Sequence, residues 1–129
     1  MKYYHSTSLK DISFDEAITK VTAALKEEGF GVLTDIDIQD TLKKKIGASL
    51  YKYRILGACN PEFAYKALQK EDKIGAMLPC NVIVQEKQEG EVEVSAVDPI
   101  ASMSAVENPG LEDIAEAVNA KLQRVIRSL

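Results

Sequence analysis

The feature that most constrains the fold of this chain is a β-hairpin pattern in its second half. An apolar run at residues 77–84 is followed by a polar segment that ends at Gly90. The next run, residues 91–97, alternates apolar and polar side chains, as a half-buried strand does. Strands separated by a short glycine-containing segment are typical of a hairpin. The sheet is therefore expected to contain antiparallel neighbours.

Two long amphipathic helices are predicted, one in the first quarter of the chain and one at its end. Ser13 and Glu16 match a capping box, in which two side chains satisfy free backbone N–H groups at a helix start. Apolar residues then recur at steps of three and four until Gly29, which can end a helix in the left-handed conformation. Near the end of the chain a second apolar stripe follows a cap at Asn108. Its members are Leu111, Ile114, Ala115, Val118, Leu122, Val125 and Ile126.

The remaining segments complete the predicted order of elements. Strands are expected at residues 2–8, 30–38 and 50–58, and the apolar run 77–84 is expected to be a central strand covered on both faces. A short helix should start at Asn60 and Pro61. A further small helix is possible at 40–46, capped by Asp40, and residues 100–107 should form a loop. This order predicts a single α+β domain over residues 1–129, with a largely antiparallel sheet and its long helices on one face.

Composition excludes some partners. The formal net charge is −4, whereas general nucleic-acid binding depends on clustered Lys and Arg, so no nucleic-acid partner is predicted. The N-terminal residues turn polar too early for a signal peptide, and no apolar run reaches membrane-spanning length. We therefore expect a cytoplasmic protein without a membrane partner. In the cytoplasm both cysteines should stay reduced.

Cys59 and Cys80 are the most reactive side chains. A free cysteine is as often a small buried apolar residue as a nucleophile. Cys59, however, immediately precedes a predicted helix start, where backbone N–H groups favour a thiolate. The two sulfurs can approach each other only if their strands are antiparallel neighbours, which the sequence leaves open.

Other chemistry has weaker support. His5 is the only histidine, and such a residue near an N-terminus is more often on the surface. Asp35 and Asp37 would share one face of a strand, where acidic residues more often mark the solvent side than a metal or acid–base site. No glycine-rich phosphate-binding loop occurs. The spacing supplies no complete ligand set for a metal.

The chain resembles a known family in four segments. They are Gly29-Phe30-Gly31-Val32-Leu33-Thr34-Asp35-Ile36-Asp37, Ile55-Leu56-Gly57-Ala58-Cys59-Asn60-Pro61, Leu78-Pro79-Cys80-Asn81-Val82, and Asp98-Pro99 followed by Met103. Together they resemble the domain of unknown function 302 family over nearly the whole chain. The resemblance implies a TATA-binding-protein-like α+β fold with the order strand, helix, four strands, helix, to which this chain adds a short helix. It also implies a homodimer and makes Cys59, Asn60, Pro61, Pro79, Cys80, Asp98 and Met103 the motif positions.

Three functional hypotheses follow, beside the alternative that both cysteines only pack in the core. The first is a homodimeric module that binds or senses a small molecule around Cys59 and Cys80, with Asn60, Asn81, Asp98 and Met103 as candidate ligand-binding residues. The second is a redox or sulfur-transfer enzyme with Cys59 as nucleophile and Cys80 as resolving partner. The third is metal or haem binding by cysteine, His5 or Met103. Whether the protein is an enzyme, and which cofactor it uses, stay open.

Overall fold

The sheet has five strands, all paired antiparallel. A computed structural model describes residues 2–129 and gives the strand order β1-β5-β4-β3-β2. The strands are β1 (Tyr4–Lys10), β2 (Gly31–Asp37), β3 (Lys52–Cys59), β4 (Cys80–Gln88) and β5 (Glu91–Val97). The predicted antiparallel sheet is confirmed, with the hairpin strands β4 and β5 near its middle.

Within residues 2–129 the chain also forms five helices. They are α1 (Phe14–Glu27), α2 (Ile38–Ile46), α3 (Pro61–Lys70), α4 (Pro99–Ser102) and α5 (Glu112–Ser128), with short 3₁₀ turns at Asp72–Met77 and Pro109–Leu111. The architecture is the predicted α+β class of the TATA-binding-protein-like type, with the short helices inserted between its strands. Within residues 2–129 no helix is long and apolar enough to cross a membrane.

The core lies between one face of the sheet and the two long helices, α1 and α5. The predicted stripe of α5 is buried along its whole length. Alternate residues of the central strands project toward the helices and are almost inaccessible: Leu56, Ala58, Val82, Val84, Val92, Val94 and Ala96. Burial of this apolar area is the main favourable contribution to folding, at about 25 cal/mol per Å².

The central hairpin differs from its prediction in two ways. β4 begins at Cys80 and continues to Gln88, because Gln85 and Gln88 of the polar segment pair with β5, with a register shift between them. Gly90, at φ +82°, occupies the turn. The expectation that β4 is covered on both faces is wrong within the described chain. Val82 and Val84 are buried by helices, whereas Asn81 is exposed on the opposite face and Ile83 is only half-buried.

Helix caps confirm some predictions and correct others. Ser13 caps α1 by accepting a hydrogen bond from the Glu16 backbone N–H at 3.1 Å. α2 starts two residues earlier than predicted, since Asp37 rather than Asp40 is its cap. The expected loop at residues 100–107 begins instead with the helical turn α4, because Asp98 accepts hydrogen bonds from the backbone N–H groups of Ile100 and Ala101.

Gly57 permits an unusually close approach of three segments. It lies in β3, directly opposite Thr34 of β2. A β-carbon at this position would collide with the Thr34 hydroxyl and would come within 2.8 Å of Pro79 Cγ, a contact that real β-carbons do not make. The absent side chain therefore lets the Pro79 corner lie directly against β3, next to both cysteines.

Candidate functional site

Strand pairing brings the two cysteines to the same end of the sheet. β3 and β4 are antiparallel neighbours, and Ala58 is directly opposite Cys80. Cys59 is therefore one residue from the position facing Cys80. Because successive residues of a strand face opposite sides, Ala58, rather than Cys59, shares its face with Cys80. Both cysteines are free thiols; Cys59 is half-buried and Cys80 is buried.

Cys59 and Cys80 both line one small, largely apolar cavity of about 30 Å³ between the sheet end, α3 and α5. This accessible space can hold about one or two water molecules but is too small for an organic ligand. Its other walls are largely hydrocarbon, contributed by Phe30, Phe63, Ala64, Ala67, Leu78, Pro79, Ile114 and Val118. The site thus combines two polarizable sulfur groups with apolar surroundings.

The buried thiol resists ionisation. Burial, and secondarily the neighbouring Cys59, raise the pKa of Cys80 from its usual 9.0 to about 11. An apolar environment disfavours the thiolate because it replaces water around the charge. At neutral pH Cys80 is accordingly a protonated, weakly nucleophilic thiol.

Met103 separates the small cavity from a much larger open depression. The depression has a volume of about 570 Å³ and lies beside α5 and the segment that follows α4. Met103 and Ala115 belong to the walls of both spaces. Its remaining apolar lining includes Ile100, Val106 and Leu111, and Glu107, Glu112 and Glu116 are at its edges.

Asp98 positions the segment that carries Met103. Its side chain caps α4, as described above, and the Met103 backbone N–H then donates to the Pro99 carbonyl at 3.0 Å. Asp98 does not line the thiol cavity. Its contribution to the site is therefore the placement of the wall, through the backbone, rather than a direct contact.

The two asparagines of the motif lie on different sides of the sheet. Asn60 lines the thiol cavity, but its side chain does not cap α3; it donates instead to the Glu28 carbonyl at 3.4 Å. The expected side-chain cap at Asn60 is therefore absent, and its amide ties the start of α3 to the end of α1. Asn81 is exposed on the opposite face, in a shallow depression with Tyr3, Tyr53 and Ser95. The structure does not bring Asn81 to the cysteines.

His5 is part of a polar cluster that the sequence reasoning missed. Its Nε2 can donate to Asn119 Oδ1 at 2.8 Å and lies 3.8 Å from Asp98 Oδ2. The expectation of a surface histidine is wrong, since its side chain is only 24% exposed and faces α5. The period-two pattern of β1, which turns His5, Thr7 and Leu9 toward the helices, was the available signal.

The acidic pair on β2 has a structural explanation. Arg54 Nη1 lies 2.9 Å from Asp35 Oδ2, and its Nε lies 3.7 Å from Asp37 Oδ2. Asp37 also caps α2. Over residues 2–129, no three His, Cys, Asp or Glu side chains converge in a way that could hold a metal ion.

The fold and the motif segments around Cys59 and Cys80 together define a class of small α+β domain that has two cysteines at one end of its sheet. The family model described as domain of unknown function DUF302 matches residues 5–129. The chain therefore belongs to the DUF302 family, as the motif resemblance predicted.

A solved structure agrees with this assignment. The crystal structure of an uncharacterized conserved DUF302 protein from Bacillus stearothermophilus matches with a TM-score of 0.89 and 24% sequence identity, covering 98% of each chain. At that identity the likeness shows the shared fold alone. Among proteins with curated descriptions, none is significantly similar to this chain.

The raised pKa of Cys80 predicts a loss of stability in alkali. Because the folded state holds this proton more tightly than the unfolded chain does, its contribution is complete below pH 9 and is lost as pH rises toward 11. A shift of this size corresponds to about 2–3 kcal/mol. Urea unfolding at pH 8 to 11 should show a steeper alkaline fall in wild type than in Cys80→Ala. The matched control Cys59→Ala should keep most of the fall, and parallel profiles for wild type and Cys80→Ala would contradict the assignment.

Proposed function

We propose that this protein is a small-molecule binding or sensing module. Its binding site is the open depression beside α5, and the thiol cavity behind Met103 is the inner part of the same site. The observation that carries the proposal is the shared Met103 and Ala115 wall, which connects the family motif to a space of ligand size. Pockets for small ligands usually span about 300–1,000 Å³, a range that includes this depression but excludes the thiol cavity.

The lining indicates the class of ligand. Ile100 is 45% exposed and Val106 is half-buried, so both present apolar surface to the depression. Exposed glutamates at positions 107, 112 and 116 give the edges negative charge. A neutral or cationic molecule with an apolar part suits this surface best, because an anion would be repelled.

Absence of a complete catalytic set favours binding over turnover. Cys80 is protonated at neutral pH, and the polar cluster of His5 and Asn119 is not part of either cavity wall. The motif residues that do line the site contribute thiols, a thioether, one amide and hydrocarbon. Such a lining recognises shape and polarizability, which is what a receptor for a small ligand needs.

Binding of the neutral apolar dye Nile red tests the depression. Wild type should bind it saturably, with increased and blue-shifted fluorescence, and Ile100→Ser should weaken binding about 5- to 10-fold, since about 1 kcal/mol of apolar contact is lost. Ile46→Ser is the matched control, because Ile46 is a 73% exposed isoleucine at the end of α2, outside both spaces. Equal weakening by both substitutions, or none by Ile100→Ser, would contradict the proposal.

The module is further proposed to act as a homodimer. Support comes from the sheet face that carries no helix, where Tyr53, Ile55 and Ile83 are half-buried and Tyr3 is 65% exposed. An antiparallel sheet can leave such a face in water, but apolar residues near its centre are better covered by a second copy.

A charge at the centre of this face should separate the dimer. Ile83→Lys places an ammonium group on the central strand β4, where covering it would remove it from water. Sedimentation equilibrium should give twice the chain mass for wild type and the chain mass for Ile83→Lys. Ile46→Lys is the control and should stay dimeric. A monomeric wild type would refute the dimer without affecting the binding site.

Thiol chemistry is the second candidate function. It is favoured by one observation, the half-buried Cys59 beside Cys80 at the start of α3. Oxidation of this pair would form one S–S bond and pass two electrons and two protons to a disulfide or peroxide oxidant. Alkylation of Cys59 across pH, followed by mass spectrometry, tests it. A rate that follows an ordinary cysteine pKa near 8.5 would remove this candidate.

A further inference from the structure

One carboxylate connects the chain's only histidine to the wall of the open depression. His5 Nε2 lies 2.8 Å from Asn119 Oδ1 on α5 and 3.8 Å from Asp98 Oδ2. The other carboxylate oxygen, Asp98 Oδ1, accepts the backbone N–H groups of Ile100 and Ala101 at 2.9 Å and 3.3 Å. Asp98 therefore faces His5 with one oxygen and holds the start of α4 with the other.

We propose that His5 is a pH sensor for the open depression, whose protonation draws the Asp98 carboxylate away from the α4 cap and so weakens ligand binding. The inference rests on the proposed binding function, because it assigns regulation to that same site. Histidine is the side chain that ordinarily changes charge between pH 5 and 8. His5 and Asp98 line neither the depression nor the thiol cavity, so His5 acts as a positioning residue, through α4.

The surroundings of the carboxylate leave its rotation as the available movement. The Asp98 backbone N–H donates to the Tyr3 carbonyl at 2.7 Å, which ties the main chain to the sheet. The His5 ring is held by the buried Asn119. A charged N–H and a carboxylate oxygen prefer a separation of about 2.7–2.9 Å, shorter than the present 3.8 Å. Closing this gap turns Oδ2 toward the ring and takes Oδ1 away from the N–H groups of α4.

The strands around His5 bring no second charge to it within the described chain. Its direct partner on β5, Ala96, is apolar and buried. Glu93 belongs to the opposite face of the sheet, where it lines the shallow depression of that face. Lys2 lies over the Tyr4 ring, 5.3 Å from its centroid, and Tyr4 lines the same opposite face. The charge of a protonated His5 is therefore met from the end of β5, by Asp98.

The helices also leave that carboxylate as the acidic partner of His5. α5 faces the ring with the neutral Asn119, and α4 carries no charged side chain. Glu116, about one turn before Asn119, is exposed and is not within ion-pair distance of His5. Two basic residues of α5 are engaged elsewhere: Lys121 lies over an aromatic ring of α3, and Arg124 pairs with the residue that follows α1.

The effect reaches the ligand because α4 supplies part of the apolar wall. Ile100, whose N–H is capped by Asp98, presents its side chain to the depression. Met103 ends the same helical turn and lines both spaces. A weaker cap loosens this turn and displaces both side chains. We expect protonation of His5 to weaken ligand binding about fivefold, the effect of losing a helix cap of typical strength.

Methyl NMR of protein labelled with ¹³C-methyl methionine tests the coupling without any ligand. Between pH 8 and pH 5.5 the Met103 methyl resonance should shift with the same midpoint as the ring resonances of His5. The shift should vanish in His5→Gln, which keeps an N–H donor for Asn119 but gains no charge. It should also vanish in Asp98→Asn, because asparagine still caps a helix but is uncharged. Met77, an exposed methionine outside both spaces, is the internal control and should not follow His5.

Nile red titrations at pH 8 and pH 5.5 test the consequence for binding. Wild type should bind about fivefold more weakly at pH 5.5, as for loss of a cap, and His5→Gln should bind equally at both pH values. Comparison of the two proteins cancels the titration of the glutamates at the edges of the depression. A Met103 resonance that does not follow His5, or the same pH dependence of binding in wild type and His5→Gln, would overturn the regulation. Absence of dye binding at pH 8 would instead overturn the proposed function, and the methyl NMR reports on the coupling separately.

Discussion

The antiparallel pairing of β3 with β4 is the interaction on which the rest of the site depends. Their backbone hydrogen bonds fix Ala58 opposite Cys80, and this register decides that Cys59 and Cys80 share one end of the sheet. Had the same strands run parallel, the two cysteines would lie at opposite ends, since one ends β3 and the other begins β4. The register is itself enforced by burial, because a shift of one residue would turn Leu56 and Val82 away from the helices.

The helices contribute by closing the space that this pairing opens. α5 supplies Ile114, Ala115 and Val118 as one wall, and α3 supplies Phe63, Ala64 and Ala67 as another. Asp98 then turns the chain after β5 so that Met103 completes the enclosure. Several of these wall residues, Ala67, Ala115 and Val118 among them, also belong to the buried hydrophobic core. The cavity is therefore a product of the core rather than an addition to it.

Local patterns predicted most of the fold because they report on burial. The alternation of β5 and the stripe of α5 were both correct, since each side chain in these elements is sorted between helix-facing and solvent-facing positions. Capping was less predictable. Asp37 and Asp40 are both suitable caps for α2, and only the geometry of the β2 end, where Asp37 meets both Arg54 and the Asp40 N–H, decides between them. The motif residues identified this end of the sheet as the candidate site, but the sequence did not show which side chains lie together there. Asn81 points away from the cavity because neighbouring residues of a strand face opposite sides.

Gly57 sets the spacing at this end of the sheet because it has no side chain. Its bare backbone lets Thr34 and Pro79 come within contact distance of β3, and Pro79 is followed directly by Cys80. The position of Pro79, and through the chain that of Cys80, thus depends on a residue that has no side chain. In a redesign of this domain, any side chain at position 57 would displace Pro79, and with it one wall of the cavity, away from β3.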